Sequence, residues 1–305
     1  MIRPQLVHSF THAALSPDPD LAIGALMIAR IEYPKLDAGP YLDRLDELGL
    51  EARLRVAAAR RSRSDVPPNV DPEHYAGVTA LNEFLFGELH FVGNEVRYDD
   101  PRNSCLNEVL DRRTGIPITL ALLYMEVARR AELHVEGVNF PGHFLLRCPA
   151  PRGSAYSEDL IIDAFHGGAL LSQEACLALL RKHTDADDPA LHEGRLPNRA
   201  LARADKQQIL ARMLINLKRT YIGMCSFPQA RDITELLLAV NPSSIDHLRD
   251  RGLLAYQLKD FPAALRDLQN YLQLSSKAPT EGGHEDLTEI WEHVKTLRRR
   301  LASLN

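Results

Sequence analysis

Cysteine is scarce and scattered. The 305 residues hold four, Cys105, Cys148, Cys176 and Cys225, and no C-x-x-C pair. That argues against a zinc ribbon or a disulfide scaffold and fits a reducing, cytoplasmic setting. Long apolar runs are missing too. The longest near the start, "LAIGALMIA" (Leu21 to Ala29), falls well short of the roughly 20 residues that span a bilayer. Asp18 and Asp20 precede it where a secretory signal would carry basic residues, so no membrane segment is expected. Charge of one sign is also lacking. With 36 Lys and Arg against 41 Asp and Glu, the net −5 gives no electrostatic reason to expect nucleic acid. The basic end "KTLRRRLASLN" reads as a solvated helix terminus whose arginines oppose the helix dipole. What remains, 45% hydrophobic and 25% charged, is ordinary globular composition over a length suited to about two domains.

The first third is helical in pattern. "PDLAIGALMIARIEYP" places Ala22, Ala25, Leu26 and Ala29 at helical spacing and stops at Pro34. "AGPYLDRLDELGLEARLRVAAARRSR" supplies one or two more helices, with Leu42, Leu45 and Leu48 on one face. After the polar, proline-containing "RRSRSDVPPNVDPE", the period returns through Val78, Leu81, Phe84 and Leu85.

The middle changes character. "NSCLNEVLDRRTG" predicts a short helix capped by Asn103 or Ser104 and closed by Gly115. "DDPRNS" before it reads as a turn plus cap, and Arg112 and Arg113 as partners of the helix end or of acidic loops. From Pro117 to about Glu132 the next helix is apolar on nearly every side, which buries it mid-domain. Pro117 suits its first turn. "HVEGVNF", "HFLLRC" and "DLIIDAF" read as strands, with "PAPRGSAYSE" as an exposed hairpin loop and "SQEACLALLRKH" as a further helix. By the two-residue period, His143 shares a face with Leu145, and Asp163 with Ile161. The glycine and proline of "NFPGHF" predict a sharp bend just before His143. A buried helix followed by an antiparallel sheet is an α+β arrangement.

Beyond the polar "HTDADDPALHEGRLPNRALA" the chain repeats itself. "SFPQA" recurs as "DFPAA", so Phe227 and Phe261, and Ala230 and Ala264, are offset by 34 residues. That is the tetratricopeptide period, with a small residue where the two helices of a unit cross. Two helical hairpins are legible, and "HEDLTEIWEHVKTLRRRL" would cap them. So few units are expected to lean on the preceding domain.

Helix start, histidine, then aspartate is the chain order of a cysteine-nucleophile triad. The run "GNEVRYDDPRNSCLNEVLDRRTGIPITLALLYMEVARRAELHVEGVNFPGHFLLRC…LIIDAFHGG" resembles the bacterial SirB-type family, which joins a transglutaminase-like domain to C-terminal tetratricopeptide repeats. The likeness runs over nearly the whole chain. It implies an α+β, papain/transglutaminase-like core with a helical N-terminal segment, then an all-α repeat region. The expected divisions are 1–92 packed on the core, 93–184 as the core, 185–206 as linker and 207–305 as repeats with a capping helix. In the wider superfamily a Gly-x-Cys opens the buried helix. The thiol at a helix N-terminus ionises more readily, the histidine moves its proton, and the aspartate orients the ring. Carried onto this chain, Gly115 matches the glycine, His143 the base and Asp163 the orienting acid. The cysteine falls on Pro117, which offers neither a nucleophile nor an N–H.

Substitutes for that thiol can be named. Cys105 could be a relocated nucleophile or a small packed residue. The Thr119 hydroxyl could attack or bond the preceding turn. Cys148 lies on the opposite strand face from His143, and Cys176 in an apolar helix. A metal set of His143, Asp163 and His166 lacks a recognised spacing, so no metal or cofactor is expected. His143 and Asp163 are then either a relict pair or the wall of a peptide cleft. The expected function is a non-catalytic interaction or regulatory protein that engages a protein or peptide through its repeats. The alternative is a cysteine-dependent acyl transferase or hydrolase that uses Cys105.

Overall fold

The computed structural model describes residues 2–61, 66–183, 196–276 and 284–302. The chain forms two compact units, Pro17–Met213 and the discontinuous pair of Met1–Ser16 with Leu214–Asn305.

The first unit is the α+β core. Its helices are α2 (Leu21–Ala29), α3 (Gly39–Ala59), α4 (Pro72–Asn82), α5 (Leu106–Arg112), α6 (Pro117–Arg130) and α7 (Gln173–His183), the preceding α1 (Pro4–Ala14) belonging to the other unit. Asp20 and Asp71 cap α2 and α4 by accepting from Ile23 N at 2.9 Å and His74 N at 2.8 Å. α4 runs on into a π-helical stretch, Glu83–Glu88. α6 is the buried axis: every residue from Pro117 to Ala128 is out of solvent, as its apolar composition dictates. It stops at Arg130, two residues before the expected end. Glu132 turns to φ 58°, and Leu133 N and Glu132 N return to Ala128 O and Arg129 O, a Schellman close made without glycine. α3 packs along α6 and α4.

A four-stranded antiparallel sheet, β3 (Glu136–Val138), β4 (Leu145–Cys148), β5 (Leu160–Asp163) and β6 (Ala169–Leu171), comes next in simple meander order. β5 is buried along its length. A second, two-residue parallel pair, β1 (Val92–Gly93) with β2 (Thr114–Gly115), ties the segment before α5 to the residues that open α6.

Several local expectations are corrected. α5 is capped by Cys105, after a 3-10 turn over Pro101–Ser104, so neither Asn103 nor Ser104 is the cap. The helix closes at Arg113, left-handed at φ 54°, because Gly115 is occupied in β2. His143 precedes β4 in a turn instead of lying within the strand. Residues 185–195 of the expected linker lie outside the described residues. The rest of that stretch is packed: Ala200 and Ala204 are buried, Ala204 N donates to Gly137 O at 2.8 Å, and Arg203 bridges Val138.

The second unit is all-helical: α1 (Pro4–Ala14), most of α8 (Lys206–Gly223), α9 (Phe227–Val240), α10 (Ile245–Gln257), α11 (Phe261–Ser275) and α12 (His284–Ala302). The 34-residue repeat extends to the turns. Cys225 and Lys259 are both left-handed, at φ 56° and 62°. Ser226 N donates to Tyr221 O and Asp260 N to Ala255 O, the same bond one period apart. Ala230 and Ala264 are both fully buried where the helices cross. α12 closes the second hairpin by setting Ile290, Val294 and Leu297 against Ala255, Ala264, Leu268 and Tyr271. Here too the structure departs from expectation. Residues 1–92 are not one segment on the core, because α1 belongs with the repeats: it packs on α9, and Ile2 N donates to Asp232 Oδ1 at 2.9 Å.

Candidate functional site

The segment "FPGH" builds the first half of the site. Phe140 O accepts from His143 N at 3.1 Å, Pro141 comes after Phe140, and Gly142 takes φ 68°. This is a type II turn, whose third position needs a positive φ. It delivers His143 to the start of β4, 7% exposed.

The second half comes from the end of β5. Asp163, 3% exposed, accepts from the His143 ring, with Nε2 3.0 Å from both carboxylate oxygens. His166 approaches the same carboxylate, its Nδ1 2.8 Å from Oδ2. The backbone N–H groups of Phe165 and His166 also donate to Oδ1, at 3.0 and 3.3 Å. Burial raises the Asp163 carboxyl, but the bonds and charges of His143 and His166 outweigh it and hold the group below its ordinary range. His143 is thus held through Nε2. No hydrogen bond to its Nδ1 occurs among the described residues. Phe165 meets the His143 ring edge-on at 6.1 Å and the His166 ring at 5.2 Å.

The turn from Asp163 to Gly168 is anchored on two sides. Asn82 Nδ2 donates to Gly168 O at 2.6 Å, and Asn82 Oδ1 accepts from the buried Tyr124 hydroxyl of α6 at 2.9 Å. Gly93 lies so close beneath Phe165 that a Cβ there would be 2.6 Å from both Phe165 Cδ2 and Phe165 O. Since Gly93 pairs with Gly115, the opening of α6 is linked through one β-bridge to the His–Asp turn. Pro117 stands two residues after Gly115, buried, at the first position of α6.

The substitute nucleophiles have other neighbours. Cys105 is buried and its sulfur faces Pro101 O at 3.6 Å. Burial, with Glu32, Glu108 and Asp100 nearby, pushes its thiol up to about 12. Burial likewise lifts Cys148 to about 12 and Cys176 to about 11. The Thr119 hydroxyl donates to Asn103 O at 2.6 Å and accepts from Ile116 N at 3.1 Å, which closes the α6 N-terminus. Asn103, fully buried, is a hub that the sequence pattern does not announce: its side chain donates to Arg97 O at 2.7 Å and accepts from Asn94 at 3.1 Å and Arg112 at 3.4 Å. In the polar "DDPRNS" nothing sets it apart from its neighbours. The structure therefore brings His143, Asp163 and His166 together, and gives Cys105 an acidic environment of its own. Two cavities elsewhere in the core unit, about 360 and 490 Å³, are lined by neither His143 nor Asp163.

A buried helix, an antiparallel sheet bearing a His–Asp pair, and helical hairpins of 34-residue period define a transglutaminase-like protein with a tetratricopeptide tail. Sequence comparison agrees: residues 40–215 match the transglutaminase-like superfamily and residues 217–283 a tetratricopeptide repeat. The chain is 37% identical over 276 residues to a UPF0162 protein of Xylella fastidiosa, covering 90% of this chain and 91% of that one. It is 34% identical over 183 residues to a UPF0162 protein of Pseudomonas aeruginosa, covering 59% and 62%. It is also 35% identical over 221 residues to F-box only protein 21 of Homo sapiens, covering 70% of this chain and 33% of the human protein. The chain belongs to the UPF0162 family of transglutaminase-like proteins.

Proposed function

We propose that this is a non-catalytic, cytoplasmic interaction protein of the SirB-type, in which a transglutaminase-like core has lost its nucleophile and the repeat tail engages a protein partner. Pro117 carries the reading. It stands at the first position of the buried helix, where the superfamily's mechanism needs a thiol. The alternative nucleophile is poorly suited to attack: a thiol lifted to about 12 holds almost no thiolate at neutral pH. Tetratricopeptide hairpins stack into surfaces that bind peptide segments. The core then acts as a platform, or as a second cleft beside His143.

The test pairs the native chain with Leu268→Asp, which places a charge in the fully buried contact of α11 with α10 and α12. A partner retained by the native chain and lost by the variant supports the proposal. No partner, or one retained equally by both, counts against it. Turnover of a glutamine or peptide substrate, abolished in Cys105→Ser, would establish the relocated-nucleophile alternative instead.

A further inference from the structure

The site holds one more imidazole than a triad uses. A triad acid orients a single ring, yet Asp163 is approached by His143 Nε2 at 3.0 Å and by His166 Nδ1 at 2.8 Å. These three groups each offer a ligand atom, and the atoms all lie within 4.8 Å of one another. The spacing has a geometric meaning. Two donors each about 2.1 Å from an ion and at right angles to each other stand about 3.0 Å apart. The two nitrogen–oxygen separations are close to that value, so the carboxylate and each ring can occupy adjacent positions around one ion.

We propose that His143 Nε2, Asp163 and His166 Nδ1 form a site for a divalent transition-metal ion of the imidazole-preferring kind: Fe²⁺, Co²⁺, Ni²⁺ or Zn²⁺. Two imidazoles and one carboxylate on one face of an ion is a recurrent set that leaves other positions open. The supporting shell is present. The Phe165 and His166 amides fix Asp163 Oδ1, and Oδ2 is the oxygen that both rings reach, 3.0 Å from His143 Nε2 and 2.8 Å from His166 Nδ1. Glu95 Oε1 lies 3.8 Å from His166 Nε2, the nitrogen that a ligating Nδ1 leaves protonated, and a carboxylate behind a ligating histidine orients the ring and raises its basicity. His143 and Asp163 are buried and pre-placed, whereas His166, with its side chain 53% exposed, is free to close on the ion. Binding requires no net chemistry on the rings. In the metal-free hydrogen-bonded state the protons sit on His143 Nε2 and His166 Nδ1; on ligation each moves to the ring's other nitrogen. The proposal is independent of the repeat tail and of any partner, so either reading can fail alone.

The experiment is a titration of the full-length, untagged chain with Co²⁺ and Zn²⁺, monitored by calorimetry and by the cobalt visible spectrum. Cys225→Ser serves as background, because Cys225 is the exposed cysteine. The expected result is uptake of one equivalent with cobalt bands of a nitrogen/oxygen site. His166→Ala, a change at an exposed side chain, then weakens binding by at least the roughly 10- to 100-fold that loss of a mere supporting residue produces. No uptake in a titration carried to millimolar ion overturns the proposal. So does uptake that His166→Ala leaves unchanged, or a thiolate-to-cobalt charge-transfer band, which would put the ion on a buried cysteine.

Discussion

Replacing Asp163 by alanine should be among the most damaging single changes in the core. The carboxylate takes four donors: His143 Nε2, His166 Nδ1 and the amides of Phe165 and His166. The losses are unequal. The His166 ring can turn to water, but His143 is 7% exposed and cannot. Hydrogen bonds to a charged group are worth about 1.5–3 kcal/mol each, and orphaning one partner of a buried ionic pair costs about 3–5 kcal/mol. Counting His143 in full and the others in part gives about 3–5 kcal/mol for Asp163→Ala. For a unit of this size that lowers the core's melting transition by roughly 6–20 °C. Asparagine keeps one acceptor oxygen for the amides, so Asp163→Asn should lose about half as much. Calorimetric melts of both variants, with the repeat transition as internal reference, make the comparison. A core transition for Asp163→Ala within about 1 kcal/mol of native would refute the reasoning, since it would mean His143 does not depend on this carboxylate. The same bond fixes an acid limit. The Asp163 carboxyl is held below its ordinary 3.8, so the stability it contributes is complete above that value. It is lost as pH falls through the depressed native value.

Gly93→Ala should destabilise the core by about 1–3 kcal/mol, because the new methyl meets the Phe165 backbone as well as its ring. The exposed neighbour changed as Val92→Ala should stay near native in the same denaturant titration. Labelling with a thiol reagent at neutral pH should modify Cys225 quickly and Cys105, Cys148 and Cys176 only on unfolding, read by peptide mass spectrometry. Arg251→Ala should lower the repeat transition by about 2 kcal/mol. It removes the guanidinium that holds the buried Asp267 at 2.7 and 3.2 Å and leaves only the exposed Arg266 in its place.

The elements that sequence alone reveals are those whose cause is local. α6 is legible because its apolar residues leave no polar face, and the hairpins because Phe227, Ala230, Phe261 and Ala264 mark one period. His143 and Asp163 are legible as a pair through their order after Gly115. What escapes depends on distant partners. β1 and β2 have two residues each and exist only because they meet. His143 resembles a strand residue because alternation looks the same in a turn that ends at a strand. His166 is visible as a candidate ligand, but its approach to Asp163 comes from the tight turn to β6, which no periodicity announces. Asn82 and Asn103 pass for ordinary helix-end residues until Tyr124, Gly168 and Thr119 are found beside them.

The helical tail is stitched together from opposite ends of the polypeptide. The Ile2–Asp232 bond spans 230 positions, with the whole core threaded between its partners. During synthesis the core can complete itself while α1 waits without its mate, and the tail can close only after α9 has emerged. Loop closure over such a distance is kinetically slow, so the tail should be the late-forming part. It also means that a dissection at the apparent boundary before α8 separates nothing cleanly. The upstream fragment would carry an amphipathic helix whose buried side, Phe10 and Ala14, has no seat, and the downstream fragment would expose the face of α9 that α1 covers. A recombinant tail meant to fold as the native one does would need the first sixteen residues grafted back.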